Sequence, residues 1–149
     1  ITNKLFYFMV INLFKKKLLF IILIFTCLHL KAQNKILAAQ NEITEVARIF
    51  NSELPIKIDD STTMIIVNYD NRENELAYFF RVEDYYNSEL ISLGVENFIK
   101  KYKISQIKYI RSSPNNKAFL IAQLNFVFIY LDATNRLILK YKITPKEYN

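Results

Sequence analysis

The stretch that decides the fold is "TTMIIVNYDNRENELAYFFRV", which runs from Thr62 to Val82. It contains two runs rich in β-branched and aromatic residues, 62–69 and 75–82, on either side of the polar link "DNREN". Two such runs with a short polar link between them are typical of a β-hairpin. The sequence therefore predicts a sheet, to which the flanking segments add helices and further strands.

The two sides of the second strand differ in polarity, because successive side chains of a strand point to opposite faces of a sheet. One side is wholly apolar and should meet the core: Leu76, Tyr78, Phe80 and Val82. The opposite side includes Phe79 and Arg81. Depending on the register of the hairpin, Ile65, Val67 and Tyr69 of the first strand would join that opposite side.

The segment before the hairpin has the periodicity of a helix. Between residues 34 and 53, apolar side chains recur at steps of three and four, with charged residues such as Glu45 and Arg48 between them. This pattern predicts an amphipathic helix. Pro55 should end it, because proline has no N–H to donate and its ring clashes with the preceding helical turn.

Helical periodicity returns after the hairpin and extends from Ser88 to about residue 110. The last part, "QIKYI", is also compatible with a strand because of its β-branched residues. A new start signal follows, since Ser113 can cap a helix whose first residue is Pro114. We expect this short helix to reach about Leu124, with Asn125 in the left-handed turn that often ends a helix.

The C-terminal part predicts a second hairpin, with strands at 126–131 and 136–144 on either side of "DATN". Helices and hairpins that are separated along a chain are typical of the α+β class. The sequence therefore predicts one small α+β domain over residues 33–149. In this domain, an antiparallel sheet of two hairpins packs against about three helices.

Several motifs of this domain stand together in one order. They are "ELPIKIDDSTT" after the first helix, and "RSSPNN" and "FVFIYLDATNRLILKYKITPKEY" in the second half. In these motifs the domain resembles a group of small exported bacterial proteins of unknown function. The resemblance implies a helix, an LPxxxD link, a hairpin, a long helix, a short helix and a closing hairpin, and it favours a helix at 88–110. Asn125 and Asn135 stand where the group usually has glycine, and asparagine tolerates such positions.

The N-terminal 32 residues have the pattern of a secretory signal peptide. Three consecutive lysines, 15–17, precede an apolar run at 18–30. This run is shorter than the about 20 residues that a membrane-spanning helix needs. A basic segment, a short apolar run and a small residue at the cleavage site form the signal-peptide pattern, and we expect cleavage after Ala32.

Two alternatives to cleavage stay open for this segment. It could remain as a membrane anchor, or the protein could be a lipoprotein attached through Cys27. Residues 1–8 are expected to be an upstream extension of the reading frame, with Met9 as the start.

Removal of the signal peptide changes the charge of the chain. The whole sequence has 20 basic and 14 acidic residues and a net charge of +6. Five of the basic residues and none of the acidic ones lie in residues 1–32, so the net charge of residues 33–149 is about +1. The basic character therefore belongs to the signal peptide, and we expect no nucleic-acid partner.

The only histidine and the only cysteine, His29 and Cys27, also lie in the signal peptide. What remains lacks the imidazole and thiolate groups of zinc, copper and non-haem iron sites, and of histidine-dependent nucleophiles. Gly94 is the only glycine, so there is no glycine-rich phosphate loop. We expect no metal and no cofactor.

Charge is segregated along the remaining chain. Residues 33–99 have a net charge of about −7, and residues 100–149 have a net charge of about +8. The two halves could attract each other within one domain, or they could present oppositely charged surfaces to partners.

Acidic residues offer the remaining basis for catalysis. A glycosidase needs an acid–base pair, and three pairs could be considered for it: Asp59 with Asp60, Glu83 with Asp84, and Glu73 with Glu75. The positions of these pairs, however, follow no specific spacing. Adjacent acids in a short polar link are usually turn or cap residues. The favoured interpretation is an exported, non-enzymatic binding protein, and a carboxylate-dependent envelope hydrolase is an alternative.

The predicted second face of the sheet is the candidate interaction surface. Its candidate residues are Phe79, Arg81, Ile138, Lys140 and Lys142. Exposed apolar patches often mark interaction sites, whereas β-formers shielded by lysine stems would be ordinary strand residues. The expected partner is a protein or other envelope component, or a second copy of the chain, in the periplasm or outside the cell. A membrane-anchored accessory subunit is a further alternative, which requires the N-terminal segment to be retained.

Overall fold

The computed structural model describes the backbone of residues 2–85 and 88–149, and it describes the side chains within these ranges from residue 28 onward and at residue 26. The described side chains do not include lysines 15–17, most of the apolar run of the predicted signal peptide, or Cys27.

The chain forms two compact units, Ile1–Leu37 and Ala38–Asn149. The first unit is helical, and its described side chains are exposed. The second unit contains the sheet and the hydrophobic core.

Helices and hairpins follow one another in the predicted order. The helices are α1 (Thr2–Glu53), α2 (Glu89–Leu93), α3 (Val95–Ser112), α4 (Lys117–Ala122) and α5 (Pro145–Tyr148), with a 3₁₀ turn at Pro114–Asn116. The strands are β1 (Ile56–Lys57), β2 (Thr62–Asp70), β3 (Glu75–Val82), β4 (Asn125–Asp132) and β5 (Leu137–Ile143). The α+β class and both hairpins, β2–β3 and β4–β5, are confirmed.

The sheet has the strand order β1-β2-β3-β4-β5. The two hairpins are antiparallel, but β3 and β4, which join them, run parallel, with Tyr78 opposite Phe128. The sheet is therefore mixed rather than wholly antiparallel. The chain leaves β3 and returns to β4 through α2, α3 and α4, and such a helical crossover brings it back to the end of the sheet from which β3 started.

Helix α1 begins well before the predicted start at residue 34. Lys31, Ala32 and Gln33 precede that position and are all good helix formers, so nothing there stops the helix from extending toward the N-terminus. The end of α1 at Glu53 agrees with the stop expected from Pro55.

The helix predicted from residue 88 to about 110 is two helices, α2 and α3. They meet at Gly94, whose φ of 74° lies in the left-handed region that glycine adopts without a steric penalty. The segment "QIKYI" lies within α3, so the strand alternative for it is wrong.

Helix α4 ends earlier than predicted, and the predicted left-handed turn at Asn125 is wrong. The residue with positive φ is Gln123, at 51°, and Asn125 is the first residue of β4. Asn74, in the turn between β2 and β3, provides the reason. Its side-chain amide donates hydrogen bonds to the carbonyls of Ala122 (2.7 Å) and Gln123 (3.1 Å), so the helix end is capped from a distant turn.

An irregularity in the second hairpin changes the faces at the start of β5. The register shifts between Tyr130 and Leu131, where Leu131 is paired with Leu137. Leu137 is 62% exposed, whereas Ile138 packs partly against the core. The prediction that Ile138 lies on the second face is therefore wrong, because an extra residue in one strand moves the next side chain to the other side.

A similar shift between Met64 and Ile66 decides the faces of β2. Val67 is 1% exposed and Tyr69 packs against the core, so neither belongs to the second face as suggested for one register. Ile66 is the exposed apolar residue of this strand, at 47%.

The predicted core face of β3 is confirmed, with Leu76 and Val82 almost completely buried. Aromatic rings continue this face across the sheet. Tyr78, Phe128 and Tyr141 form one row, in which the ring centroids are 5.5 Å and 5.0 Å apart. Stacked pairs of this kind contribute about 0.5–1.5 kcal/mol beyond the area they bury. Helices α1, α3 and α4 add buried residues to the same core.

Asn51 of α1 protects the outer edge of β2. Its side-chain amide donates to the carbonyl of Val67 (2.5 Å), and its side-chain oxygen accepts from the N–H of Val67 (3.0 Å). Strand β1 reaches only as far as Met64 on this edge. Asn51 therefore supplies bonds that a longer β1 would have made, and it ties α1 to the sheet.

Two ion pairs connect the acidic and the basic halves of the chain. Glu89 accepts from Lys101, and Glu75 accepts from Lys142 across the sheet. These contacts are those expected if the two halves attract each other within one domain.

Candidate functional site

A pocket of about 440 Å³ lies between α1, α3 and the sheet. Its floor consists of aromatic side chains from neighbouring positions of β3 and β4: Tyr78, Phe80, Phe126 and Phe128. These residues lie on the same face because alternate residues of each strand point the same way, and the parallel register places Tyr78 beside Phe128.

Two helices provide the walls of the pocket. Val46 and Phe50 of α1 form one wall, and Gln106, Tyr109 and Ile110 of α3 form the other. Val46 and Phe50 are four positions apart, and Tyr109 and Ile110 follow Gln106 by three and four positions, so each set lies on one face of its helix. The pocket is therefore built by two amphipathic helices that stand apart above the sheet.

The size of the pocket distinguishes it from an ordinary packing defect. Protein interiors contain few voids larger than a water molecule, which takes about 30 Å³ of liquid volume. Pockets that bind small molecules usually measure about 300–1,000 Å³. A space of about 440 Å³ with mainly apolar walls is therefore suited to an apolar group.

Exposed apolar residues continue the lining to the outside. Ile58, which follows β1, is 51% exposed, and Tyr109 of α3 is 63% exposed. Both line the pocket, so an apolar group that enters it meets apolar surface at the rim as well as at the floor.

Two polar side chains of the lining, Gln106 and Asn116, each have one group bonded within the protein. The side-chain oxygen of Gln106 accepts from the hydroxyl of Tyr141 at 3.0 Å. The side-chain amide of Asn116 donates to the carbonyls of Tyr109 (3.1 Å) and Ile110 (3.4 Å). These bonds fix the shape of the wall rather than offering groups to a ligand.

Tyr78 is an exception. Its ring is stacked on Phe128, and its hydroxyl makes no hydrogen bond within the part of the chain that the structure describes. Burial, and then the neighbouring Tyr109 phenol, raise the pKa of Tyr78 above its ordinary value. The hydroxyl therefore stays protonated at physiological pH and can donate a hydrogen bond.

No charged side chain lines the pocket among the described residues. The acids considered for catalysis are not part of the lining, and three of them make contacts of a structural kind. Asp59 accepts from the N–H of Ser61 at 2.8 Å in a turn, Asp60 pairs with Lys57 at 3.3 Å, and Glu75 pairs with Lys142. The geometry thus brings no pair of carboxylates together at the pocket.

The described residues contain neither a cluster of metal ligands nor a membrane-spanning helix. No group of three or more histidine, cysteine, aspartate or glutamate side chains converges there. Nor does any helix in that part of the chain carry an apolar stretch long enough to cross a membrane.

The second face of the sheet contains most of the residues predicted for an interaction surface. Phe79 lies in one row with Ile129 and Lys140 across β3, β4 and β5. Phe79 is half-buried and Lys140 is exposed, whereas Ile138 leaves this face for the core. That this face binds a partner stays a prediction.

Two cationic residues of this face are held by neighbours. Lys142 pairs with Glu75, which lies two strands away, and Val127 between them is almost completely buried. Arg81 donates to the side-chain oxygen of Asn135 at 3.1 Å, and its Nε is buried with no hydrogen-bond partner among the described residues. The ion pair acts as a cover for the apolar residue beneath it.

The pocket could not be found from the sequence. Tyr78 and Phe80 of its floor were predicted to face the core, which they do, but the lining role of the floor depends on the distance between α1 and α3. Residues that far apart in the chain carry no local signal for such a gap. The aromatic content of β3 and β4 was the one visible hint.

Comparison with solved structures shows a shared fold. A crystal structure of a candidate secreted protein from Pseudomonas aeruginosa matches with a TM-score of 0.59 and 11% identity, over 77% of this chain and 96% of that one. The pilotin EpsS of the Vibrio vulnificus type II secretion system matches with a TM-score of 0.51 and 15% identity, over 80% and 96%. The pilotin AspS of Vibrio cholerae gives 0.50 and 14%, over 78% and 94%.

Comparison by sequence gives a narrower result. No curated protein sequence matches the chain. The domain of unknown function DUF8479 matches residues 38–140, which include all five strands except the last residues of β5. By this match the chain belongs to the DUF8479 family.

Proposed function

We propose that the protein is exported, is not an enzyme, and binds an apolar, uncharged segment of a partner protein in the pocket between α1 and α3. The pocket is the observation that carries the proposal, because it combines a volume of about 440 Å³ with a largely apolar lining. Burying an apolar group there gains roughly 25 cal/mol per Å² removed from water.

The proposed ligand is uncharged because the described lining offers no charge to receive one. An ion placed in such a pocket would lose its hydration without finding a counter-ion. A protein segment is favoured over other apolar groups because two of the matching folds are pilotins, which are components of a protein secretion system.

Export is supported by two separate observations. The N-terminal sequence has the pattern of a cleavable signal peptide, with Ala32 as the proposed last residue. One matching fold belongs to a candidate secreted protein. The proposed location is therefore the periplasm or the outside of the cell, where the partner would be an envelope component.

The absence of catalysis is proposed on the chemistry of the pocket. General acid–base or nucleophilic catalysis needs a titratable group within hydrogen-bond reach of the substrate. Here the titratable groups of the lining are the phenols of Tyr78 and Tyr109, and the raised pKa of Tyr78 keeps its phenol protonated, so that it is not available as a general base.

Site-specific photo-crosslinking tests the proposal in the cells that produce the protein. p-Benzoylphenylalanine is placed at Tyr109, which is 63% exposed at the rim of the pocket. Ile104, also on α3 and 62% exposed but not part of the lining, is the matched control position. The expected result is a crosslinked adduct with one exported protein from position 109 and none from position 104.

Two results would contradict the proposal. Identical adducts from both positions would show non-specific contact along α3. An adduct of position 109 with lipid, or no adduct at all, would show that the pocket does not receive a protein segment.

A further inference from the structure

The hydroxyl of Tyr78 is the polar group that the pocket leaves uncommitted at its floor. Above the floor, the side-chain oxygen of Gln106 and the side-chain amide of Asn116 bond other parts of the protein. Among the described residues, the hydroxyl of Tyr78 makes no hydrogen bond, while its ring is stacked on that of Phe128 with the centroids 5.5 Å apart. A tyrosine hydroxyl in an apolar setting ordinarily finds a hydrogen-bond partner, and here the pocket is the space from which that partner can come.

We infer, on the basis of the proposed function, that Tyr78 selects the segment that enters the pocket by donating a hydrogen bond to a neutral acceptor, such as a carbonyl oxygen. The acceptor is neutral because a carboxylate would need a cation beside it, and no cationic residue lines the described pocket. A purely hydrocarbon group would fill the space but would leave the hydroxyl unpaired, which carries a free-energy penalty.

Tyr109 is the competing donor and can be separated from Tyr78 by position. It lies at the rim with 63% of its surface exposed, where water satisfies its hydroxyl. A hydrogen bond made there replaces one to water and discriminates little between ligands. Tyr78 belongs to the aromatic floor, so the bond that its hydroxyl makes depends on what occupies the pocket.

The test uses three aromatic probes of similar size and the exported protein. Acetophenone has a neutral carbonyl, ethylbenzene has no acceptor, and benzoate has a charged one. Met64 lines the pocket and is one of only two methionines in the sequence, so a ¹³C-labelled methionine methyl group reports on occupancy directly. Dissociation constants are taken from the shift of the Met64 methyl resonance during titration.

The expected result is that acetophenone binds about fivefold more tightly than ethylbenzene, which is the discrimination that one neutral hydrogen bond provides. Benzoate should bind more weakly than either. In Tyr78→Phe the preference for acetophenone should disappear. Ethylbenzene should bind this variant at least as tightly as the unaltered protein, because it no longer leaves a hydroxyl unpaired, and this binding also shows that the variant keeps its pocket. In Tyr109→Phe the preference should persist.

Other outcomes overturn the inference in distinguishable ways. Equal affinities for acetophenone and ethylbenzene in the unaltered protein, or a preference that survives in Tyr78→Phe, would remove the role of Tyr78 and leave the proposed function standing. If the preference were lost in Tyr109→Phe instead, the selecting hydrogen bond would belong to Tyr109 at the rim. If no probe shifts the Met64 methyl resonance, the pocket accepts no apolar group, and the proposed function fails with the inference.

Discussion

Replacing Asn51 by alanine should loosen the wall that α1 contributes to the pocket. The side chain of Asn51 bonds both the N–H and the carbonyl of Val67, on the edge of β2. Alanine removes both bonds and leaves the backbone of α1 unchanged, because alanine is the best helix former. Val46 and Phe50 lie on the same helix, just before Asn51, and their position over the sheet depends on this attachment.

The magnitude follows from the two bonds. A neutral hydrogen bond contributes about 0.5–1.5 kcal/mol net, so two give about 2 kcal/mol. Asn51 is an exposed residue and water can replace part of the loss, which places the expected decrease in unfolding free energy at about 1–2 kcal/mol. For a domain of about 100 residues, this corresponds to a fall in melting temperature of about 4–8 °C.

Urea unfolding followed by circular dichroism measures the change. The midpoint should fall without a change in slope, because the amount of surface exposed on unfolding is nearly the same. Asn68→Ala is the matched control, since Asn68 is exposed on the same strand and its side chain makes no hydrogen bond within the described residues. The control should stay within about 0.5 kcal/mol. Equal losses in the two variants would refute the assigned role of Asn51.

Three further predictions concern charge, the second face and processing. Lys101 lowers the pKa of Glu89, so this carboxylate stabilises the fold above its unfolded pKa, and the contribution is lost as the pH falls through the folded pKa. In Glu89→Gln the melting temperature should therefore fall less between pH 7 and pH 3 than in the unaltered protein. An unchanged dependence of the melting temperature on pH would contradict this. Phe79→Ser combined with Lys140→Glu should abolish capture or self-association through the second face and leave the melting temperature within a few degrees; an unfolded variant would place Phe79 in the core. Intact-mass analysis of the exported protein should give an N-terminus within a residue or two of Gln33, whereas a mass that retains the three lysines would show an uncleaved segment.

Local patterns predicted the elements whose structure depends on near neighbours. The alternation along β3 correctly identified its buried face, because a strand with one apolar side has one stable orientation on a core. The stop of α1 before Pro55 was predictable from the missing N–H of proline. Gly94 was visible as the only glycine, but the apolar stripe on either side of it favoured a single helix.

Contacts between distant segments account for what the sequence did not predict. The end of α4 is capped by Asn74, 48 positions before Ala122 in the chain, so no glycine or asparagine marks it. The parallel pairing of β3 with β4 depends on where three helices return the chain. The faces of Leu137 and Ile138 depend on a bulge that alternation alone cannot reveal. The pocket combines all these effects, since it needs two separate helices to stand apart over a floor made by that parallel pair.

The most direct test of the pocket as the recognition site is to block it and to measure the yield of the crosslink from position 109. Asn115 is exposed at the pocket lining, so Asn115→Trp can place an indole over the opening with little disturbance of the core. Asn71→Trp, in an exposed turn outside the lining, is the control. The account predicts that Asn115→Trp reduces the yield of the protein adduct about tenfold or more, as expected when at least about 1.4 kcal/mol of binding is lost, while Asn71→Trp leaves it unchanged. Equal yields in the two variants would contradict the claim that the partner enters this pocket.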